Sequence, residues 1–304
     1  MAAGAGATLL RLVRPGERRF LALGVLATPP LALAFAAVHV IPLFWADCSP
    51  LVGWDRVATL ALLGALAAVA AGALVLNGTR LILIERLLDA CSAASDSQRK
   101  TLLAQLAGRC NGALPELRLL DADAPLAVAG GLRRPSIVVS TWLLEHLDAE
   151  ELAAVVAHEL VHVRRRDYLT RWAARLLRDA TVYLPSAWYA HAVIEVDEEL
   201  HADTEAVRLT RRPLAMASAL GKVWAGALSS QPLGLAGLPG YAPSSPALLE
   251  QRLARLMAGT AEDKSSTLVR GLAGFGILLL GGLVPRLLLV GAATLPLICI
   301  MRPF

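Results

Sequence analysis

The sequence predicts a mainly α integral membrane protein with an N-terminal transmembrane hairpin, an α+β domain carrying a small β-sheet, and C-terminal transmembrane or re-entrant helices. Composition is the first reason: of 304 residues 56% are hydrophobic and only 18% charged, with a mean hydropathy of +0.56, an apolar-rich profile for a soluble domain. The second is that the apolar residues are gathered in runs, since neither Phe20 to Trp45 nor Val57 to Thr79 contains a formal charge. The third is a polar-enough middle, where short β-branched stretches give way to amphipathic helical patterns. Disorder, a collagen-like fibre and a disulfide scaffold are excluded by high apolar content, lack of a repeat and four scattered cysteines.

Each N-terminal run can cross a hydrocarbon core of about 30 Å as a helix. Pro29 and Pro30 fall inside the first and kink it without preventing insertion. Arg11, Arg14, Arg18 and Arg19 followed by Ala34-Phe35-Ala36 also resemble a cleaved signal peptide, but the run exceeds an h-region of about 7–15 residues, so a retained helix is expected. Four arginines precede the first run, Asp47, Asp55 and Arg56 lie between the runs, and Arg80, Arg86, Arg99 and Lys100 follow. The positive-inside rule then puts the N-terminus and the domain after Arg80 in the cytoplasm of a multi-pass cell-membrane protein. The net charge of +4 is concentrated beside membrane runs and forms no basic stripe interleaved with aromatics, so no nucleic-acid partner is expected; membrane lipid is. Asn77-Gly78-Thr79 is a sequon at the cytoplasmic end of the second run and is read as accidental.

The expected organisation is a basic N-terminus (1–19), two transmembrane helices (20–86), a central domain (87–267) and a C-terminal membrane segment (268–304). In the last, Gly271 to Pro285 and Leu287 to Met301 are short apolar stretches parted by Arg286; a hairpin is preferred to one kinked span that buries Arg286. Leu87 to Cys110 reads as a helical link. Glu116 to Leu120, Leu126 to Ala129 and Ser136 to Ser140 read as a strand meander. Asp148 with Glu151 forms a capping box for a helix ending near Arg164, Arg165 and Arg166; a second helix starts near Tyr168 and a third covers Ile194 to Leu209. Ala180 to Ile194 is apolar and aromatic, and fits either a core helix or the membrane surface. Ser229 to Ser245 is a Pro/Gly/Ser loop, and Pro246 opens an amphipathic helix to about Met257.

The chemistry lies on the capped helix. His158-Glu159-Leu160-Val161-His162 is H-E-x-x-H. Residues four apart share a helical face, so both imidazoles can converge on one Zn²⁺, while Glu159, about 100° away, reaches a water and not the metal. A catalytic zinc needs three protein ligands and an open position. The third helix offers Glu195, Asp197, Glu198, Glu199, His201 and Asp203. Glu199 and Asp203 are four apart, so one can ligate while the other accepts a hydrogen bond from a ligating histidine; Glu195 shares a face with Glu199, and His201 is a further ligand candidate. Glu195, Asp197 and Glu198 otherwise read as a solvated face. No C-x-x-C offers a rival metal site.

His158-Glu159-Leu160-Val161-His162 with Glu199-Leu200-His201-Ala202-Asp203 resembles the H-E-x-x-H plus E-x-x-x-D signature of membrane-embedded gluzincin peptidases, a set including the HtpX and CAAX prenyl protease group and the BlaR/MecR antirepressor-type peptidases. The second group looks closer: Gly131 to Ser140 resembles its Gly-then-Pro strand, Arg164-Arg165-Arg166-Asp167 the basic run and Asp after the motif, and Leu249 to Leu256 its late helix. The resemblance spans about Leu126 to Leu256. It implies an α+β zincin-like (gluzincin) metallopeptidase domain, one Zn²⁺ per chain held by His158, His162 and Glu199, Asp203 as a supporting partner, and Glu159 as the catalytic base. It also implies protein or peptide substrates, added as a strand along an edge for which Leu126, Ala127, Val128 and Ala129 are the candidates. BlaR/MecR proteins end in a large extracellular penicillin-sensing domain, whereas this sequence ends at Phe304, so beta-lactam sensing is not expected. The alternatives are a signal-transducing peptidase that cleaves a transcriptional repressor or itself, and a catalytically silent membrane scaffold.

Overall fold

Helix α1, Arg18–Phe35, carries Pro29 and Pro30 in its interior and passes into a π-helical turn at Ala36–Val40. Proline removes a backbone donor and a π-turn shifts the ladder by one residue, so both mark departures from a straight helix. Helix α2, Gly53–Ala90, runs unbroken for 38 residues. Helix α1 together with its π-turn, and helix α2, hold stretches apolar enough to cross a membrane, Ala22–His39 and Val57–Asp89. Leu62, Val75 and Leu83 on α2 are exposed, as expected of side chains whose solvent is lipid. The computed structural model describes residues 18–41, 53–94, 115–131, 135–229 and 245–258. The C-terminal runs, and with them the choice between hairpin and kinked span, lie outside these residues, as do the basic stretch 1–17 and most of the Pro/Gly/Ser loop.

The chain divides into two compact units, one containing the described residues up to Asn77 and residues 173–194, the other those of 78–172 and 195–263. In the first unit Ala22 and Leu26 pack with Ala174, Ala187, Ala190 and Ile194. Small residues at this contact allow close approach of helix backbones without voids. Asn77 is buried there and donates to Ala73 O and to Asp179 Oδ2, each at 2.9 Å, so the sequon asparagine is engaged inside the fold. Residues 185–194 belong to the front of helix α6 (described below): Ala187, Ala190 and Ile194 are buried while Trp188 and Tyr189 stay exposed. Arg178 stacks over the Trp188 ring at 4.7 Å.

The second unit is built on a four-stranded sheet of β1 (Ser92–Ala93), β2 (Glu116–Leu120), β3 (Ala127–Gly130) and β4 (Ser136–Ser140), in the order β1-β2-β4-β3. The expected meander is corrected here: β2 and β4 are parallel, and β3 pairs antiparallel with β4 at the edge. β4 takes the inner place because Ser136-Ile137-Val138-Val139-Ser140 is buried along its whole length, the pattern of a strand covered on both faces. Of the expected helical link, Leu87 to Ala90 is the end of helix α2, Ser92–Ala93 is instead a strand on β2, and residues 95–110 lie outside the described residues. Two small residues have no alternation by which to announce themselves.

Helices α3 (Thr141–His146), α4 (Ala149–Arg165), α5 (Asp167–Ala180), α6 (Pro185–Thr210), α7 (Pro213–Ser229) and α8 (Pro246–Ala258) follow. α6 starts nine residues before the expected Ile194, because Pro185 sits at its first turn, where its missing N–H costs nothing. α7 has no counterpart in the sequence reading; its Ala- and Gly-rich run carries a single charge, Lys222, and so no polar face. Gly226 is required in it, since a Cβ there would lie 2.5 Å from the Trp142 ring. α4 packs on β3 and β4 through Leu152, Val156 and Leu160 in a core with Ile137, Val139 and Leu143.

The entry to α4 is fixed by the capping box. Asp148 Oδ1 accepts from Glu150 N at 2.8 Å and Glu151 N at 2.9 Å, and Asp148 N donates to Glu151 Oε2 at 2.9 Å. Burial raises Glu151, but the bonds from Lys222 and Ser218 and from Asp148 N outweigh it and leave the carboxyl below its usual range. Replacing Asp148 by alanine is expected to cost about 1 kcal/mol in chemical denaturation, with Asp148→Asn largely retaining the cap.

Candidate metal centre

α4 ends because Arg166 adopts a left-handed conformation, φ 54° and ψ 40°, after which Asp167 starts α5. That turn brings the Asp167 carboxylate back onto the helix it follows, where His162 Nδ1 lies 2.9 Å from Asp167 Oδ2. His158 Nδ1 lies 3.0 Å from Asp203 Oδ1, off the line of a well-aligned donor. Each imidazole thus faces a carboxylate with Nδ1, and both Nε2 atoms turn inward. This is how a carboxylate fixes the tautomer of a metal-binding histidine.

The inward atoms meet Glu199. His158 Nε2 is 3.1 Å from His162 Nε2 and 3.3 Å from Glu199 Oε2, and His162 Nε2 is 3.7 Å from Glu199 Oε1. Tetrahedral bonds of about 2.0–2.2 Å place donor atoms about 3.3–3.6 Å apart, so these separations suit one small cation. Two imidazole nitrogens 3.1 Å apart need a proton or cation between their lone pairs. His158, His162 and Glu199 form a group that could hold a metal ion, with one donor atom from each within 4.8 Å of the others. Among the described residues Glu195 and His201 do not join it.

The solvated-face reading of the acidic cluster is corrected: Glu198 is fully buried and Asp197 nearly so. Glu198 lies inside because it has a cation to meet there. Arg171 on α5 donates from Nε to Glu198 Oε2 at 2.7 Å and from Nη2 to Glu199 Oε1 at 2.6 Å. Arg252 on α8 donates through Nε and Nη2 to Asp203, both at 2.7 Å, and its Nη1 is 3.0 Å from Glu199 Oε2. Each Glu199 oxygen therefore has a histidine and an arginine beside it. Burial raises Glu199 and Asp203, but the guanidinium charges, led by Arg252, outweigh it: Asp203 lies below the usual carboxylate range and Glu199 well below it.

The imidazoles diverge. Burial disfavours charge on both, yet Asp203 and Glu199 push His158 up to about 9, while burial and Arg171 push His162 down to about 4. Glu159 is raised to about 7, chiefly by burial, with His158 opposing, and its carboxylate accepts from the Ala129 backbone N–H. That bond fits the register of β3. Ser140 N donates to Leu126 O at 2.9 Å, so Leu126, Val128 and Gly130 face β4, while Ala127 and Ala129 turn their N–H and C=O groups outward. The strand candidates Leu126, Ala127, Val128 and Ala129 are thus at the sheet edge or, for Leu126, in the buried approach to it.

A family model described as BlaR1 peptidase M56 matches residues 53–219, more than half of the chain. The chain belongs to this peptidase family. The M56 match covers His158, Glu159, His162, Glu199 and Asp203 and stops before Arg252. The M56 chain is also 31% identical over 175 residues to a protease HtpX homolog of Acaryochloris marina, covering 46% of this chain and 58% of that protein. It is 29% identical over 157 residues to a protease HtpX homolog of Salinibacter ruber, covering 42% and 56%. The chain spans about half the length of the curated relatives it matches. The M56 match also takes in the second of the two helices long and apolar enough to cross a membrane.

Sequence reasoning passed over Arg171, Arg252 and the burial of Glu198. Arg252 had a signal: it lies on the apolar stripe of α8 with Leu248, Leu249 and Leu256, where a charge implies a buried partner. Arg171 had none, because its partners are 27 and 28 residues away on another helix.

Proposed function

We propose that the chain is an integral-membrane zinc endopeptidase that hydrolyses peptide bonds of protein substrates. The observation that carries this reading is the convergence of His158, His162 and Glu199 on one point, with Glu159 on the next position of the same helix. The donor set of two imidazoles with inward Nε2 atoms and one carboxylate suits one Zn²⁺ per chain. When bound, zinc supplies the Lewis acidity that makes water acidic enough to deprotonate near neutral pH and polarises a peptide carbonyl.

The protein groups do the rest. Glu159, raised to about 7 by burial, takes a proton from the attacking water and delivers it to the departing amide nitrogen, since both its protonation states are accessible near neutral pH. Asp167 and Asp203 hold the two imidazoles by Nδ1. The substrate adds as an extended strand along the outward groups of Ala127 and Ala129, with Leu126 and Val128 behind them. The peptidase domain, 87–267, is assigned to the cytoplasm of a multi-pass cell-membrane protein on the distribution of flanking arginines, with membrane segments at 20–86 and 268–304.

The test is metal removal. Purified full-length chain in detergent is expected to contain about one zinc per chain, to cleave an unfolded protein such as casein, to lose that activity on chelation and to recover it on adding zinc. Cleavage that continues undiminished in fully stripped protein overturns the reading.

A further inference from the structure

Arg171 occupies an unusual place for a cation. His162 Nδ1 is committed to Asp167 at 2.9 Å, which leaves Nε2 as the ring's lone-pair atom, and Arg171 Nη2 lies 3.5 Å from it. The same Nη2 is 2.6 Å from Glu199 Oε1. These are two of the atoms a metal ion at this centre needs, and a lone pair directed at a metal cannot also accept an N–H. The guanidinium keeps its charge at every physiological pH, so it cannot withdraw by losing a proton. Arg252 differs in that two of its N–H groups are fixed on Asp203 at 2.7 Å.

We propose that Arg171 is a resident cation of the centre, held by Glu198 against the Glu199 and His162 atoms that a divalent ion also requires, so that the ion binds by displacing it and Arg171 sets the metal affinity. The inference rests on the zinc reading above and adds to it a residue outside the ligand set. Glu198 makes the exchange workable. It is fully buried and holds Arg171 by Nε at 2.7 Å, on the same edge of the guanidinium as Nη2. When an ion takes Glu199 and His162, the planar guanidinium swings as a unit about the Nε contact and carries Nη2 away, so the buried Glu198 carboxylate keeps its partner. The consequence for function is a threshold: the centre fills only when free metal is high enough to outcompete an internal charge, and stray monovalent cations find Glu199 already neutralised.

A role confined to holding Glu199 in position predicts the opposite sign, and zinc affinity separates the two. The dissociation constant of purified full-length chain in detergent is measured by competition with a chromophoric chelator. Arg171→Gln is expected to bind zinc about tenfold more tightly than the parent, or better, a change of about 1.4 kcal/mol. Arg171→Lys, which keeps the charge, shows no such tightening. The double variant R171Q/E198Q removes both members of the buried pair, so it tests the same prediction if Arg171→Gln alone does not fold, and is expected to tighten equally. A second readout is thermal: chelator-treated Arg171→Gln melts below the chelator-treated parent, and zinc raises its midpoint by more. Unchanged or weaker zinc binding in both glutamine variants overturns the proposal while leaving the zinc reading intact. A parent chain that binds no zinc overturns both.

Discussion

Glu159→Gln is expected to reduce peptide cleavage by about 10²–10⁴-fold, the range over which a positioned general base contributes, without loss of bound zinc. The substitution keeps the shape of the side chain and its ability to accept from the Ala129 N–H, and removes only the capacity to take and return a proton. Because Glu159 is not one of the three converging donors, metal content should match that of the parent. Turnover of casein and zinc per chain, measured on the same preparation, check the two halves. Cleavage at the parental rate in a zinc-loaded variant would remove Glu159 from the mechanism, and with it the case against a silent scaffold.

Arg252→Ala is expected to be the most costly single change for folding, about 3–5 kcal/mol, the range for stripping one partner from a buried ion pair. It leaves Asp203 without its bidentate partner and Glu199 without one of its two cations, in surroundings where only 5% of the arginine is exposed. Stability of a domain is typically about 5–15 kcal/mol, so the variant should melt much earlier and be cut faster by an added protease. Arg252→Lys keeps the charge without the fork and should fall between. The pH response follows from the depressed carboxyl. Asp203 in the folded protein lies below its unfolded value of about 3.9, so its contribution is fully present above that value and is lost as pH falls through the lower one. Removing Arg252 removes this term, and the variant's stability should depend less on pH in that acid range. A melting point within a degree of the parent would show that the pair contributes nothing net.

The parts of this centre that could be read from sequence are the parts whose partners are local. His158 and His162 are one helical turn apart, Asp148 and Glu151 form a box three residues wide, and Glu199 and Asp203 repeat the four-residue step. Spacing encodes such relations directly. The guanidinium framework is of another kind. Arg171 with Glu198 and Arg252 with Asp203 are joined across 27 and 49 residues, and a single sequence carries no record of which distant charge answers which. The same divide explains the sheet. The strands Glu116–Leu120 and Ser136–Ser140 follow from composition, whereas their parallel pairing, which moves Ala127–Gly130 from the middle to the edge, is a long-range fact. Lone strand β1 and helix α7 were invisible for a simpler reason: small and apolar residues alone give no alternation or polar face to detect.

The brevity of β3 bears on selectivity. Four residues with alternate groups turned to β4 leave two, Ala127 and Ala129, to grip an added chain, and the Ala129 N–H is already engaged by Glu159. A substrate docked there is measured by backbone over a few residues and against side chains no larger than a methyl group or valine. Such a register discriminates poorly between amino-acid sequences and strongly between conformations, because only an unpaired, extended segment can enter it. On the strand addition proposed above, susceptibility would be a property of the substrate's folded state, set by which chains have come undone within reach.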